Sequence, residues 1–275
     1  MKQRSWLITG GSSGLGKSLA LCAIKAGDTV YATFRSSEQA QYFEAQYPGR
    51  AIGLVVDLGM PEQVASLIQK LGKEGIVPDI LVNNAGMGFV GAIEETTQEE
   101  ALHLFQVNFF AMHALTRALL PGMRARKSGQ IVQLSSHSGV HAFPGFGMYS
   151  ASKFAMEGLS EALKAELAPH GIDVILVEPG PFRTQFASQL PEAEMRLPDY
   201  EETSGAFRDK LKSVSGKQEG DPEKAAKLIY QTLSTDKRPF RLILGPTALK
   251  TVTLKQEALE AALKASQAHA SEVIY

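Results

Sequence analysis

Tyr149 and Lys153 stand four residues apart in the run Tyr-Ser-Ala-Ser-Lys. They open a segment whose pattern predicts a helix from about Met148 to Ala168. Residues at i and i+4 share a helix face, so the spacing sets a phenol beside an ammonium. Ser136 precedes the tyrosine by thirteen residues, at the end of a predicted strand, Gln130–Ser135. A hydroxyl, a phenol and a lysine meeting at a strand end form a candidate proton-transfer site. A tyrosine at its ordinary pKa of about 10 is a poor base at neutral pH. A positive charge about 4 Å away, at an effective dielectric near 20, favours the phenolate by roughly 4 kcal/mol. That lowers the pKa by about 3, before desolvation pulls it back. A phenol near ~7 can donate to a carbonyl oxygen as hydride reaches carbon, or do the reverse for an alcohol.

Tyr-x-x-x-Lys is common by chance in helices, so the elements around it must decide. The first predicted strand, Ser5–Thr9, runs into Thr-Gly-Gly-Ser-Ser-Gly-Leu-Gly (Thr9–Gly16) and then a helix to about Ala26. A strand, a glycine-rich turn and a helix start together bind phosphate, through close backbone approach and free N–H groups. The alternative is a turn whose glycines serve packing alone. A second strand, Thr29–Phe34, ends at Arg35, where a βαβ nucleotide fold meets the adenosine ribose. An acid there would take the 2′-hydroxyl of NAD; a guanidinium suits the 2′-phosphate of NADP. A helix over Ser37–Gln46 and a strand over Ala51–Val56 follow. Asp57-Leu58 comes next, and Asp57 could accept from an adenine amino group or cap the helix that starts near Met60. A fourth strand, Asp79–Val82, leads into Asn83-Asn84-Ala85-Gly86. This alternation predicts an α/β single domain: a doubly wound, Rossmann-type parallel sheet of seven strands with helices on both faces. Its binding groups gather at the strands' C-terminal ends.

A long helix is predicted from about Gln98 to Met123, capped by Thr97, with Asn108 in its apolar middle. A sixth strand, Asp173–Glu178, ends in Pro179-Gly180-Pro181. Residues 182–220 break the pattern and read as a substrate lid inserted after a strand end. Asp221-Pro222-Glu223 starts a helix to about Leu233, and a seventh strand spans Phe240–Leu244. A final amphipathic helix, about Thr253–Ala268, offers Leu254, Leu259 and Leu263 to the domain or to a partner.

Composition excludes several classes. The chain has 275 residues, 44% hydrophobic and 21% charged, with a net charge of −1. That balance gives no electrostatic reason to expect nucleic acid or an anionic membrane. No apolar run approaches a membrane span or a signal peptide's core. The single cysteine, Cys22, favours a reducing, cytoplasmic setting. His137 and His141, four apart, lack a third ligand in any metal motif, so no metal is expected. Met87, Phe89, Phe143, Phe146, Met148 and Phe182 cluster on loops near the site and suggest an apolar pocket.

Taken together, Thr9–Gly16, Asn83–Gly86, Asn108, Ser136, Tyr149–Lys153 and Pro179–Thr184 resemble the short-chain dehydrogenase/reductase family. Val177–Phe186, the run around Asp221 and Pro239–Pro246 are similar to its 17β-hydroxysteroid-dehydrogenase-like subgroup. The resemblance implies Tyr149 as general acid/base, with Lys153 binding the nicotinamide ribose and lowering the tyrosine pKa. It makes Ser136 the group that orients the substrate oxygen and Asn108 the holder of a relay water. Gly10, Ser12, Ser13, Gly14, Leu15 and Gly16 would line the pyrophosphate, Arg35 the 2′-phosphate, and Asp57 and Leu58 the adenine. Asn84, Ala85 and Gly86 would border the ribose; Pro179, Gly180, Phe182 and Thr184 would hold the carboxamide side. Ser13 stands where some NADP-using members carry a basic residue, so the preference for NADP over NAD rests on Arg35. The implied protein is a homodimer or homotetramer that interconverts a small hydrophobic carbonyl and its alcohol. A cofactor sensor without turnover and non-redox lyase or epimerase chemistry are the rival classes.

Overall fold

The computed structural model describes residues 3–267 and 269–273. Seven strands form one parallel sheet: β1 (Ser5–Ile8), β2 (Thr29–Phe34), β3 (Ala51–Val55), β4 (Ile80–Asn83), β5 (Gly129–Leu134), β6 (Ile172–Pro179) and β7 (Arg241–Leu244). Their spatial order is β3-β2-β1-β4-β5-β6-β7, every neighbouring pair parallel. The order reverses between β1 and β4, which opens a crevice beyond their C-terminal ends. The predicted architecture and strand count are both present.

Two apolar layers sandwich the sheet. On one face, α1 (Gly14–Lys25), α2 (Ser37–Gln46) and α8 (Pro222–Leu233) bury Leu19, Phe43 and Ile229 against Trp6, Ile8 and Val30. On the other, α3 (Pro61–Lys73), α5 (Ala111–Ala125) and α6 (Gly147–Leu167) bury Leu67, Leu115 and Leu163 against Leu7, Leu81 and Ile131. Strands covered on both faces need near-continuous apolar runs, and β1 and β4 have them.

The long helix predicted over Gln98–Met123 is interrupted. It comprises α4 (Gln98–Phe105), a π-helical turn (Gln106–Phe110) and α5. Thr97 caps α4 as expected, in a reciprocal capping box with Glu100. One extra residue per turn hardly disturbs an apolar stripe, which is why the interruption is silent in the hydrophobic pattern.

Residues 182–220 are a folded excursion over the sheet's C-terminal edge, ending in α7 (Ala206–Ser213). Val90 bridges to Glu192, and Ala193 N–H donates to the Val90 carbonyl at 2.8 Å. Buried Glu95 accepts from Ala92 N–H and from Leu197 N–H, and pairs with Arg208 at 3.7 Å. The last helix, α9, runs over Pro246–Ser266, longer than predicted; Ala268 lies outside the described residues. Ala248 and Thr251 are buried, whereas Leu254, Leu259 and Leu263 are exposed, so these leucines do not pack on the domain.

At the opposite edge, buried Asp28 gathers four donors: Arg4 N–H, Arg4 Nε, Trp6 Nε1 and Tyr230 Oη. It ties the start of β1 to α8. Replacing Asp28 with Ala strands these donors and should cost about 3 kcal/mol. Urea unfolding monitored by tryptophan fluorescence measures the loss.

Candidate active site

The site lies where β4, β5 and α6 converge. Lys153 projects from α6 to donate from Nζ to the Leu134 carbonyl at the end of β5, at 2.7 Å. Only 3% of Lys153 is exposed, and Tyr149 is buried one turn earlier. A β-carbon on Gly86 would lie 3.3 Å from Asn108 Oδ1 and 3.4 Å from Lys153 Nζ. Three elements therefore meet at one point, and glycine is the residue that lets them. Ser136 follows β5, and its Oγ accepts from Ser138 N–H at 3.0 Å, closing a tight turn. The hydroxyl acts on the Tyr149 phenol, placing the sequence-predicted serine, tyrosine and lysine together.

The electrostatics differ from the sequence expectation. Burial pushes the Tyr149 phenol up to about 12, with the Ser136 hydroxyl pulling the other way. Burial also pulls Lys153 down to about 8, opposed by the Glu157 carboxylate. The expected depression of the phenol by Lys153 is not a property of the protein alone. Lys153 Nζ donates to the Leu134 carbonyl and sits 6.0 Å from the Tyr149 ring centre. Phe146 at 4.6 Å and Phe186 at 5.7 Å wrap the ring in apolar surface, so desolvation wins.

Asn108 lies in the π-turn with its amide fully engaged. Its Nδ2 donates to the Met87 carbonyl and to Ser152 Oγ, and its Oδ1 accepts from Met87 N–H. Both amide protons being taken, the side chain pins the β4 loop and keeps only acceptor capacity on Oδ1.

The glycine-rich turn fits a dinucleotide. Gly10 and Gly14 have φ of +74° and +57°, which favour glycine. The α1 N-terminus has no side-chain cap and no acidic residue in its first turn, so its N–H groups remain available to phosphate. Ser12 is exposed, and Ser13 and Leu15 are half-buried around the turn. Thr184 approaches Gly14, bringing the loop after Pro179 and Gly180 over the same turn. Gly16 and Asn84 also have structural duties. A β-carbon on Gly16 would meet both Asn84 Nδ2 and the Gly10 carbonyl at 2.2 Å, so this glycine serves helix–strand packing. Asn84 Nδ2 donates to the carbonyls of Thr9 and Gly10, while Thr9 Oγ1 accepts from Asn84 and Ala85 N–H. That lock between β1 and β4 was readable only as two polar residues at strand ends.

Arg35 is exposed at the end of β2 and makes no hydrogen bond or ion pair among the described residues. Asp57 does not cap α3, whose first residue is Pro61; its Oδ1 accepts from Gly59 N–H instead. Leu58 buries its side chain in the core, leaving backbone for any adenine contact. Phe182 packs on Gly220 and on the sheet, partly buried.

On the substrate side, Phe143 stacks on Phe207 at 5.8 Å, and Phe146 meets Phe207 at 5.4 Å. His137 and His141 both pack on Phe143, and His137 Nδ1 lies 3.2 Å from Thr251 Oγ1 of α9. Burial, with His141 nearby, pulls His137 down to about 4, so its ring is neutral at physiological pH.

A family model described as short chain dehydrogenase matches residues 4–195. The chain belongs to that family. It is an oxidoreductase built for NAD(P)-dependent hydride transfer between CH–OH and C=O groups. A short-chain dehydrogenase structure from Streptomyces avermitilis is 40% identical, covers 99% of both chains and superposes with a TM-score of 0.90. A 3-ketodihydrosphingosine reductase from Bacteroides thetaiotaomicron is 36% identical over 90% of this chain and 89% of its own. An oxidoreductase of Botryotinia fuckeliana is 32% identical over 93% and 94%.

Gly16→Ala should destabilise this short-chain dehydrogenase by about 2 kcal/mol, because backbone and Asn84 must both yield. It should also weaken dinucleotide binding through the displaced turn. Urea midpoints and nucleotide fluorescence titrations read the two effects.

Proposed function

We propose an NADP-preferring reductase of hydrophobic ketones or aldehydes, reversible with the alcohols. The buried convergence of Ser136, Tyr149 and Lys153 at the crevice carries this reading. The nicotinamide, when bound, supplies or accepts the hydride. Tyr149 Oη holds the proton delivered to the carbonyl oxygen, Ser136 Oγ orients that oxygen, and the Lys153 ammonium stabilises the phenolate left behind. Asn108 acts by fixing Met87 and Gly86 beside Lys153. Gly10, Ser12, Ser13, Gly14 and Leu15 hold the pyrophosphate through backbone groups. Ala85 and Gly86 border the ribose, and Pro179, Gly180, Phe182 and Thr184 the carboxamide.

NADP preference is supported by Arg35, an exposed guanidinium at the ribose end of β2 with no acid beside it. Hydrophobic selectivity is supported by Phe143, Phe146, Phe186 and Phe207, supplied jointly by the Ser136 loop and residues 182–220, which we assign as the lid. Both the 17β-hydroxysteroid-like motifs and the likeness to a 3-ketodihydrosphingosine reductase favour a ketone on a large apolar frame. Exposed Leu102, Phe110 and Phe154 on the α4–α6 surface support self-association into a dimer or tetramer. Among the described residues no helix is long and apolar enough to cross a membrane, and the lone free cysteine suits a cytoplasmic setting.

A panel of steroid, long-chain and short ketones assayed with NADPH and NADH tests the assignment. Tyr149→Phe should lower kcat by about 10³-fold on the active ketones while NADPH binds within a few-fold of wild type. A fully active variant would sink the acid/base role. Arg35→Ala should raise Kd for NADPH by roughly 10-fold or more and leave NADH nearly unchanged; equal losses on both would remove the 2′-phosphate contact.

A further inference from the structure

Behind the acid/base pair lies a buried charge cluster that no step above uses. Arg241 on β7 donates from Nη1 to Glu157 Oε2 and to Glu178 Oε1, each at 2.5 Å, and from Nη2 to Glu161 Oε1 at 2.6 Å. Glu157 and Glu178 are buried, Glu178 completely. Exposed surface ion pairs contribute little, but buried carboxylates sharing one guanidinium are costly to assemble and must be held by strong geometry. The cluster binds α6, β6 and β7 into one unit directly beneath the proton-transfer site.

Glu157 links this unit to the site twice. It follows Lys153 by one helical turn on the same face of α6. It also packs against the turn that carries Ser136: a β-carbon on Gly139 would lie 3.1 Å from Glu157 Cγ and 2.6 Å from Ser135 Oγ. Glu157 Oε1 and Ser135 Oγ are both buried, meet against Gly139 and have no other partner among the described residues, and the Ser135 hydroxyl acts on the carboxylate. The charged groups facing Glu157 are Arg241 from β7, Glu178 from β6, and Lys153 and Glu161 from its own helix. The turn itself directs its one titratable ring, His137, toward Thr251 and Phe143.

We propose that Glu157, clamped by Arg241, is a positioning residue for proton transfer: its carboxylate keeps the buried Lys153 ammonium charged and seats the turn bearing Ser136. The proposal rests on the roles given above to Lys153 and Tyr149. Among the described residues Glu157 is the anion that acts on Lys153, through space rather than in a direct ion pair, and it opposes the loss of the proton that burial favours. Burial, with Glu178 adding to it, also pushes Glu157 up to about 7; the Ser135 hydroxyl and the Arg241 guanidinium oppose the rise, so its charge leans on both. The dependence therefore runs from Arg241 through Glu157 to Lys153, and from there to the phenolate that Lys153 stabilises.

Lys153 can be titrated directly by NMR in protein carrying ¹³C-labelled lysine, its signal assigned with Lys153→Met. The wild-type midpoint is expected near 8. Glu157→Gln, which keeps the shape, should lower it by about one pH unit or more, and Glu157→Asp should restore most of the difference. Arg241→Met should lower it in the same direction, because Glu157 then binds a proton through the neutral range. The alkaline limb of kcat for ketone reduction should move toward acid in step, which a purely structural loss would not produce. A Lys153 midpoint unmoved, within about 0.3 pH unit, in folded Glu157→Gln would overturn the proposal. If that variant does not fold, the same reading in Arg241→Met decides. Wild-type protein inactive on every ketone would overturn the reaction assignment instead, while the Lys153 titration still tests the role of Glu157.

Discussion

A buried ammonium is the constraint around which this domain is arranged. Removing a lysine head group from water costs several kcal/mol unless hydrogen bonds and an opposite charge replace its hydration. Here the Leu134 carbonyl supplies the hydrogen bond and Glu157 the charge. Each imposes a further condition. The Leu134 carbonyl is free to accept because β5 ends there, and the Glu157 charge is favoured against burial by the Ser135 hydroxyl and Arg241. Gly86 lets the β4 loop run close alongside, since a β-carbon there would press on Asn108 Oδ1 and touch Lys153 Nζ. A strand end, one glycine and a distant arginine thus all bear on one cation's solvation.

The crevice edge is held by polar groups inside an otherwise apolar sheet. Asn83, fully buried, donates to Thr116 Oγ1 and to Gln133 Oε1, tying the ends of β4 and β5 to α5. Thr9 and Asn84 lock β1 to β4, and Thr33 Oγ1 accepts from Gly10 N–H beside β2. Buried polar groups cost stability unless matched, and matched ones admit few alternative registers. They sit at the C-terminal ends, where register decides whether the glycine turn, the Asn108 turn and the Ser136 turn face one another.

Much of this was legible in the chain because it is local. Alternating apolar runs and glycine stops gave all seven strands to within a residue or two, and Asp221-Pro222 marked the start of α8 correctly. The Tyr149–Lys153 spacing and Ser136 identified the site because i,i+4 geometry is a property of helices, not of this fold. What was missed is either long-range or depends on a distance. The Glu157–Arg241 contact joins residues 84 positions apart. The close approach of Asn84 and the Gly10 carbonyl to Gly16 was not legible, because a glycine's type does not say what approaches it. The last helix carries an amphipathic stripe, yet Leu254, Leu259 and Leu263 face solvent, since a pattern specifies a face without specifying a neighbour. The phenol's rise was not legible because spacing gives adjacency, whereas the balance of charge against desolvation depends on the apolar rings that bury it.

That balance also says what the protein itself contributes to the reaction. With the phenol near 12 and the ammonium near 8, both groups are protonated through neutral pH. Such a site is a loaded donor: Tyr149 offers its proton to an oxygen becoming basic as hydride arrives, and Lys153 meets the resulting phenolate with a full charge. Running the other way requires a phenolate first, which burial among Phe146 and Phe186 opposes. The positive charge of an oxidised nicotinamide beside the ring offsets part of that cost, and the reduced cofactor carries no such charge. The apolar walls around Tyr149 therefore keep the proton on the tyrosine until a carbonyl takes it, and under the proposed function the same phenylalanines would choose the substrate.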